Sequence, residues 1–213
     1  MAEKNYKKSG NAGSDKPGTK EAILAAAFAE FSEQGLAGAR VDRIAATAGV
    51  NKAMLYYHFS SKQNLYHEAI RHHVIAASSQ LSEMFDNDMP IEEVLHRTAA
   101  QYTRIFSSNP EFVRILLREL AEPKSEIIPR IADLLVQSNL PIRLRQRFNQ
   151  EMSAGRWKEL DVKQIIATFI TLNLGYFLLR PLVSRVLTIE DQEQFISQRA
   201  HIIVEIFLNG VRK

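Results

Sequence analysis

The chain has 213 residues, 46% of them hydrophobic, with a net charge of +3 and no cysteine. That length suits one small domain plus a larger one with a sizeable core, and the lack of cysteine excludes disulfides, thiol redox sensing, cysteine nucleophiles and cysteine-held zinc or iron–sulfur clusters. The positive charge is compatible with a nucleic-acid partner but too small to argue for one by itself.

Residues 1–18, MAEKNYKKSGNAGSDKPG, are polar and glycine-containing and hold no apolar run that could serve as a secretory signal. They read as a solvated, mobile arm whose Lys4, Lys7, Lys8 and Lys16 add at most non-specific attraction to phosphate, in a protein expected to be cytoplasmic. The first helix is predicted over 19–34, where Ile23, Leu24, Ala27, Phe28 and Phe31 make one wide apolar face and Gly35 is placed to cap the end. Val41, Ile44, Ala45 and Ala48 then recur at helical spacing, and Gly49 stands where the chain turns sharply with a positive φ. Asn51 is a good N-cap for a two-turn helix over 52–58. Leu55 and Phe59, four apart, face inward together; among the neighbouring aromatics Phe59 and Tyr56 are the expected local core. A helix this short is not stable alone, and its Lys52, Met54, Tyr56, Tyr57 and His58, left for the exposed sides or ends, suit contact with something outside, for which a DNA major groove is the obvious candidate. Ser60 and Gln63 have capping-box spacing for a helix beginning at Ser61. Lys62 then lies beside free backbone amides at a positive helix end, a combination suited to phosphate.

Taken together, residues 19 to about 70 resemble the N-terminal DNA-binding domain of the TetR family of transcriptional regulators. The resemblance rests on the first helix closed by Gly35, the Val41-x-x-Ile44-Ala45 helix, Ala48-Gly49-Val50, and Leu55-Tyr56-Tyr57-His58-Phe59 followed by Lys62 and Leu65. It implies that 51–58 is the recognition helix, that Tyr57 and His58 lie at the DNA surface and that Lys62 holds a phosphate. Two departures stand out. Ala39 occupies a position where the family often has a capping threonine, and Met54 one where a serine or threonine often touches phosphate. Arg40 and Arg43 are candidates to compensate. The candidate DNA-binding set is Arg40, Arg43, Asn51, Lys52, Ala53, Met54, Tyr56, Tyr57, His58 and Lys62.

A long helix is predicted over 61–85, ended by Asp86-Asn87-Asp88-Met89-Pro90. Further breaks at Asn109-Pro110, Glu122-Pro123, Asn139-Leu140-Pro141, Ala154-Gly155 and Leu187-Thr188 divide the remainder into helical lengths with no convincing strand. The fold class is therefore all-α: a basic arm (1–18), a three-helix helix-turn-helix domain (19–66), and a larger helical ligand-binding and dimerisation domain (67–213). No repeat, phosphate loop or dinucleotide motif is present. Residues 162–182 are apolar nearly all the way round, so that helix must be covered on more than one side. A membrane span is disfavoured because the apolar stretch 165–179 is short, contains Asn173 and runs into Arg180. The last helix, opened by Thr188 with Asp191 three residues later, carries Phe195, Ile202, Ile203, Ile206 and Phe207. Pairing 162–182 and 190–210 with their symmetry mates gives a four-helix homodimer interface, which the resemblance also implies; burial inside a monomer is the alternative.

A dimer places two recognition helices on a palindromic operator, roughly 34 to 36 Å apart or somewhat more. By resemblance the chain is a repressor released or engaged by a small-molecule effector, with no cofactor. Candidate effector-lining residues are Phe85, Tyr102, Phe106, Phe112, Phe148, Met152, Trp157, Phe169, Asn173 and Tyr176, although aromatics at helical spacing are far more often plain core than a pocket. Two rival readings are a structural DNA-binding protein of low sequence specificity and a metal-dependent enzyme using Glu68 and His72, four apart on one helix face with His67 and His73 nearby.

Overall fold

The computed structural model describes residues 18–85 and 89–213. The lysines of the basic arm and the Asp86-Asn87-Asp88 break lie outside them. Among the described residues every regular element is helical: α1 (Thr19–Gly38), α2 (Val41–Ala48), α3 (Lys52–Phe59), α4 (Lys62–Ser82) with a 3₁₀ turn at Glu83–Phe85, α5 (Ile91–Ser108), α6 (Pro110–Ala121), α7 (Ile127–Gln137), α8 (Leu140–Ser153), α9 (Val162–Val186) and α10 (Gln192–Val211). The breaks expected at Asn109, Glu122, Asn139, Ala154 and Leu187 all separate helices. The regular part of α1 ends at Gly35, whose φ of 66° is left-handed. A side chain there would be strained whatever the space.

Two helix starts differ from the sequence expectation. Ser60 is held at φ 60° as the C-cap of α3, and a positive φ is incompatible with the extended backbone an N-cap needs. Its neighbour Ser61 does the capping, accepting a hydrogen bond from the Asn64 N–H at 3.0 Å. Likewise Thr188 turns at φ 50°, and α10 is capped by Asp191, which accepts from the Gln194 N–H at 2.8 Å.

The apolar face of α1 packs across α2, α4 and α6, and α4 continues unbroken past residue 66 into the C-terminal body. One buried core therefore runs from Ile23 and Phe31 through Leu65, Ala69 and Val74 to α5 and beyond. His73, which the sequence offered as a metal ligand, stacks on Phe28 of α1. Burial holds its imidazole below the usual histidine range. At the far end Phe148, Trp157, Phe169 and Phe207 form an aromatic knot with ring centroids 5.0 to 6.0 Å apart. Trp157 also pairs with Arg212 in an isolated antiparallel bridge, so the C-terminus is tied down.

Helix α9 has 25 residues and, unlike the short apolar stretch expected there, is long and apolar enough to cross a membrane by length and composition alone. It packs on α5, α8 and α10, with Ile165, Phe169, Asn173, Tyr176 and Phe177 buried. Its outer side leaves Leu179, Leu182 and Val186 between 54% and 69% exposed, and α10 leaves Ile202 and Ile206 at 50% and 59%. Within one chain only one face of each helix is covered.

Because Phe207 is at the centre of the aromatic knot and 3% exposed, Phe207→Ala should cost about 3 to 5 kcal/mol of stability in chemical denaturation. A cost below about 1 kcal/mol would mean that the knot is not well packed.

Candidate nucleic-acid interface

Helix α3 is built as the sequence suggested. The Asn51 side chain accepts from the Met54 N–H at 2.8 Å, and Leu55 and Phe59 are 0% and 3% exposed. Asn51, Lys52 and Ala53 are exposed, and Met54 is half-buried. Tyr56, expected as core, is instead 40% exposed, and Tyr57 is 79% exposed. With only two turns, a helix that seats 55 and 59 has no third inward position, and residue 56 is turned about 100° from 55. His58 is half-buried, its ring edge-on to Tyr57 at 5.3 Å and tilted against Phe59. It supports the tyrosine from the side more than it projects outward.

The cations are already engaged. Lys52 reaches Asp42 of α2 at 3.0 Å, and the hydrogen bond to that carboxylate raises the ammonium pKa. Both groups are exposed, so the pair is weak and its lysine can be surrendered to phosphate at little cost. Lys62 donates to the Ala37 carbonyl oxygen at 3.1 Å, placing it in the first turn of α4 and against the α1–α2 connection.

Sequence reasoning missed Glu30. This carboxylate is 7% exposed; it accepts the Arg40 N–H at 3.0 Å and pairs with Arg43 Nε at 3.3 Å. It satisfies the start of α2, where Arg40 provides no side-chain cap, and so does the work of the missing cap at Ala39. Its signal was available: Glu30 is seven residues after Ile23 and three after Ala27, on the apolar face of α1. Arg43 is anchored by it, and both Arg40 and Arg43 keep exposed side chains.

The effector residues divide. A cavity of about 320 Å³ lies among α4 to α9 and is lined by Tyr102, Phe106 and Phe112 of the candidates, together with aliphatic side chains such as Leu116, Ile131, Leu144, Ile170 and Leu174. Phe85, Phe148, Met152, Trp157, Phe169, Asn173 and Tyr176 do not line it. Phe148, Trp157 and Phe169 form the knot; Asn173 donates to the Phe169 carbonyl oxygen at 2.7 Å; Tyr176 packs against Arg199, Phe177 and Phe195. Among the lining side chains only Tyr102 carries a polar atom, and burial pushes its phenol up to about 12. The Glu68 and His72 pair does not form a metal site. Glu68 is held bidentate by Arg71 at 2.8 to 3.1 Å, which lowers its pKa, and His72 sits edge-on to His73.

A capped two-turn helix braced on two others and joined by α4 to a helical body is the arrangement of a helix-turn-helix unit. Residues 23–69 match the family described as bacterial regulatory proteins, tetR family. The HTH-type transcriptional repressor NicS of Pseudomonas putida is 33% identical over 102 residues, 47% of this chain and 48% of NicS. The HTH-type transcriptional repressor SCO4008 of Streptomyces coelicolor is 33% identical over 119 residues, 56% of this chain and 58% of the relative. The chain thus spans about half the length of the curated relatives it matches. In fold, FadR of Bacillus subtilis, crystallised with stearoyl-CoA, aligns at a TM-score of 0.73 over 90% of this chain and 99% of its own, with 15% identity. The fatty acid degradation regulator FadR of Bacillus halodurans aligns at 0.68, with 17% identity and the same coverage.

Tyr57→Ala should weaken DNA binding while changing stability by no more than about 0.5 kcal/mol, as expected for an exposed side chain. Lys62→Ala should weaken binding to all sequences alike and lower the slope of log affinity against log salt by about one unit. Parental affinity in both variants, measured by fluorescence anisotropy over a salt series, would remove these residues from the interface.

Proposed function

We propose that the chain is a cytoplasmic homodimeric repressor that reads a palindromic operator and changes its grip when an apolar small molecule enters the cavity among α4 to α9. The observation that carries the reading is α3: two turns long, held by two buried side chains, with Tyr56 and Tyr57 turned to solvent. A folded chain gains nothing internally from presenting such a helix, whereas a major groove accepts it. Homodimerisation is supported by the outer faces of α9 and α10, and the effector class by the nearly all-apolar wall of the cavity. A volume of about 320 Å³ is at the small end for ligand pockets. Long-chain acyl compounds are the first class to try, given the bound stearoyl-CoA in the fold relative from Bacillus subtilis.

Helix α6 supplies a route from cavity to reader. Phe112, Leu116 and Leu120 line the cavity; between them Arg118 donates to the carbonyl oxygens of Phe31 and Ser32, at 3.0 and 3.3 Å, near the end of α1. Its neighbour Glu119 accepts the Tyr66 hydroxyl of α4 at 2.5 Å. Burial and that carboxylate push the Tyr66 pKa well up, which keeps the phenol a donor. A ligand that displaces the cavity side of α6 therefore moves α1 and α4 together. Release of DNA requires that it favour the mismatched spacing by about 1 to 3 kcal/mol.

The test is a gel-shift series against palindromic sequences upstream of its own coding region, beside unrelated duplex of equal length at the same salt. Preference for one palindrome by about 10³-fold or more is expected; equal affinity would instead favour a low-specificity structural DNA-binding protein. Ile206→Glu should leave each chain folded, because the residue is 59% exposed, yet give a monomer in sedimentation and abolish operator binding. A dimer that persists places the interface elsewhere. Arg118→Met should retain ligand and operator binding but shrink the ligand-induced change in operator affinity, and an undiminished change would exclude the α6 route.

A further inference from the structure

Away from the reader and the cavity, the seam between α5 and α10 brings together three side chains with metal-ligating chemistry. His201 and Glu205 are four apart on α10 and share one helix face; His96 comes from α5. One nitrogen of each imidazole and one oxygen of the carboxylate lie within 4.8 Å of one another. The two imidazoles are nearly parallel, 15° apart with centroids at 5.5 Å, and His96 Nε2 is 3.9 Å from Glu205 Oε1.

An ordinary ion pair does not account for the trio. At 3.9 Å, with the two side chains 34% and 49% exposed, the His96 and Glu205 contact contributes little to stability. Nor does it explain why His201 shares the cluster. We propose that His96, His201 and Glu205 form a surface site for a divalent transition-metal ion of the zinc class, with solvent at the open coordination position. Two imidazole nitrogens and one carboxylate oxygen are a donor set that such ions take, with metal–ligand distances of about 2.0 to 2.2 Å. Those lengths put tetrahedral ligands about 3.4 Å apart, so closure asks for inward movement of about 1.4 Å at most from the observed spread. That is within side-chain torsion on two fixed helices. Glu92, one turn before His96 on α5, is bridged at 2.9 Å to Arg212 near the end of α10, which holds the same two elements together and restricts their separation.

The site joins α5, a wall of the cavity, to α10, which carries Ile202 and Ile206 on its outer side. A bound ion would brace those two helices.

The experiment uses the full chain without any purification tag, stripped with chelator and titrated with Co²⁺ by visible absorption and with Zn²⁺ by calorimetry. One ion per chain is expected, with Zn²⁺ displacing Co²⁺ and raising the unfolding temperature. His96→Gln and His201→Gln should each weaken binding by at least roughly tenfold, since even the loss of a group that only orients a ligand has that effect, and should abolish the thermal shift. His72→Gln, away from the site, should match the parent. Glu205→Gln keeps the shape while removing the charged oxygen, and covers the case in which a histidine variant fails to fold. No binding by the parent at micromolar metal would overturn the assignment, as would parental affinity in the variants at 96, 201 and 205.

Discussion

Helix α3 cannot stand by itself. Eight residues form too few hydrogen bonds to offset the cost of nucleation, so its existence and its direction come from Leu55 and Phe59 seated against the rest of the N-terminal core. Helix α3 packs on α2 and α4, which have other attachments: α2 packs on α1, α1 on α4 and α6, and α4 extends into the body. The reader is therefore a passive passenger of α2 and α4. On the proposed mechanism this is what makes regulation possible, because any tilt of those two helices is delivered to Tyr57 undiminished.

The strength of the link also fits. Arg118 makes two charge-assisted hydrogen bonds to α1, and Glu119 takes one from Tyr66 of α4. At a half-open site such bonds are worth on the order of 1 kcal/mol each. Their sum is on the scale of ordinary allosteric coupling, about 1 to 3 kcal/mol, and far below that of the apolar core that keeps the domain folded. A link of this strength can bias the spacing of two readers without threatening either fold. Gly35 belongs to the same arrangement: its left-handed turn ends α1 where the Arg118 guanidinium lies 3.4 Å from the position of an absent Cβ.

What could be read in the sequence was what depends on near neighbours. Gly49 and Asn51 mark the turn and the cap because each acts within three residues, and the inward pair Leu55 and Phe59 follows from helical geometry. Glu30 escaped because its partners are ten and thirteen residues away across a glycine break. Ser60 and Ser61 are the same residue type, and only backbone conformation distinguishes the one that caps from the one that turns. Seven of the ten effector candidates do not line the cavity, for a different reason. Aromatic rings satisfy one another as readily as they line a pocket, and three of the candidates, Phe148, Trp157 and Phe169, close into the knot around Phe207. The space left open is bordered mainly by branched aliphatic chains, which fill volume less completely where six helices meet.

The outer faces of α9 and α10 decide how much of this a single chain can do. Five large aliphatic side chains there, Leu179, Leu182, Val186, Ile202 and Ile206, are half to two-thirds exposed. Covering that exposed share is worth about 1 to 1.5 kcal/mol per side chain, so two protomers placing these faces together gain on the order of 10 kcal/mol or more. Association costs an estimated 4 to 15 kcal/mol in lost freedom, so the gain from this face is comparable with that cost. A lipid phase would cover the same residues, but α9 carries Arg180 and Arg185 along its length and its other face is committed to α5, α8 and α10. In the proposed homodimer a second copy offers the same apolar stripe, and it sets two readers at one fixed spacing, the quantity a palindromic operator measures.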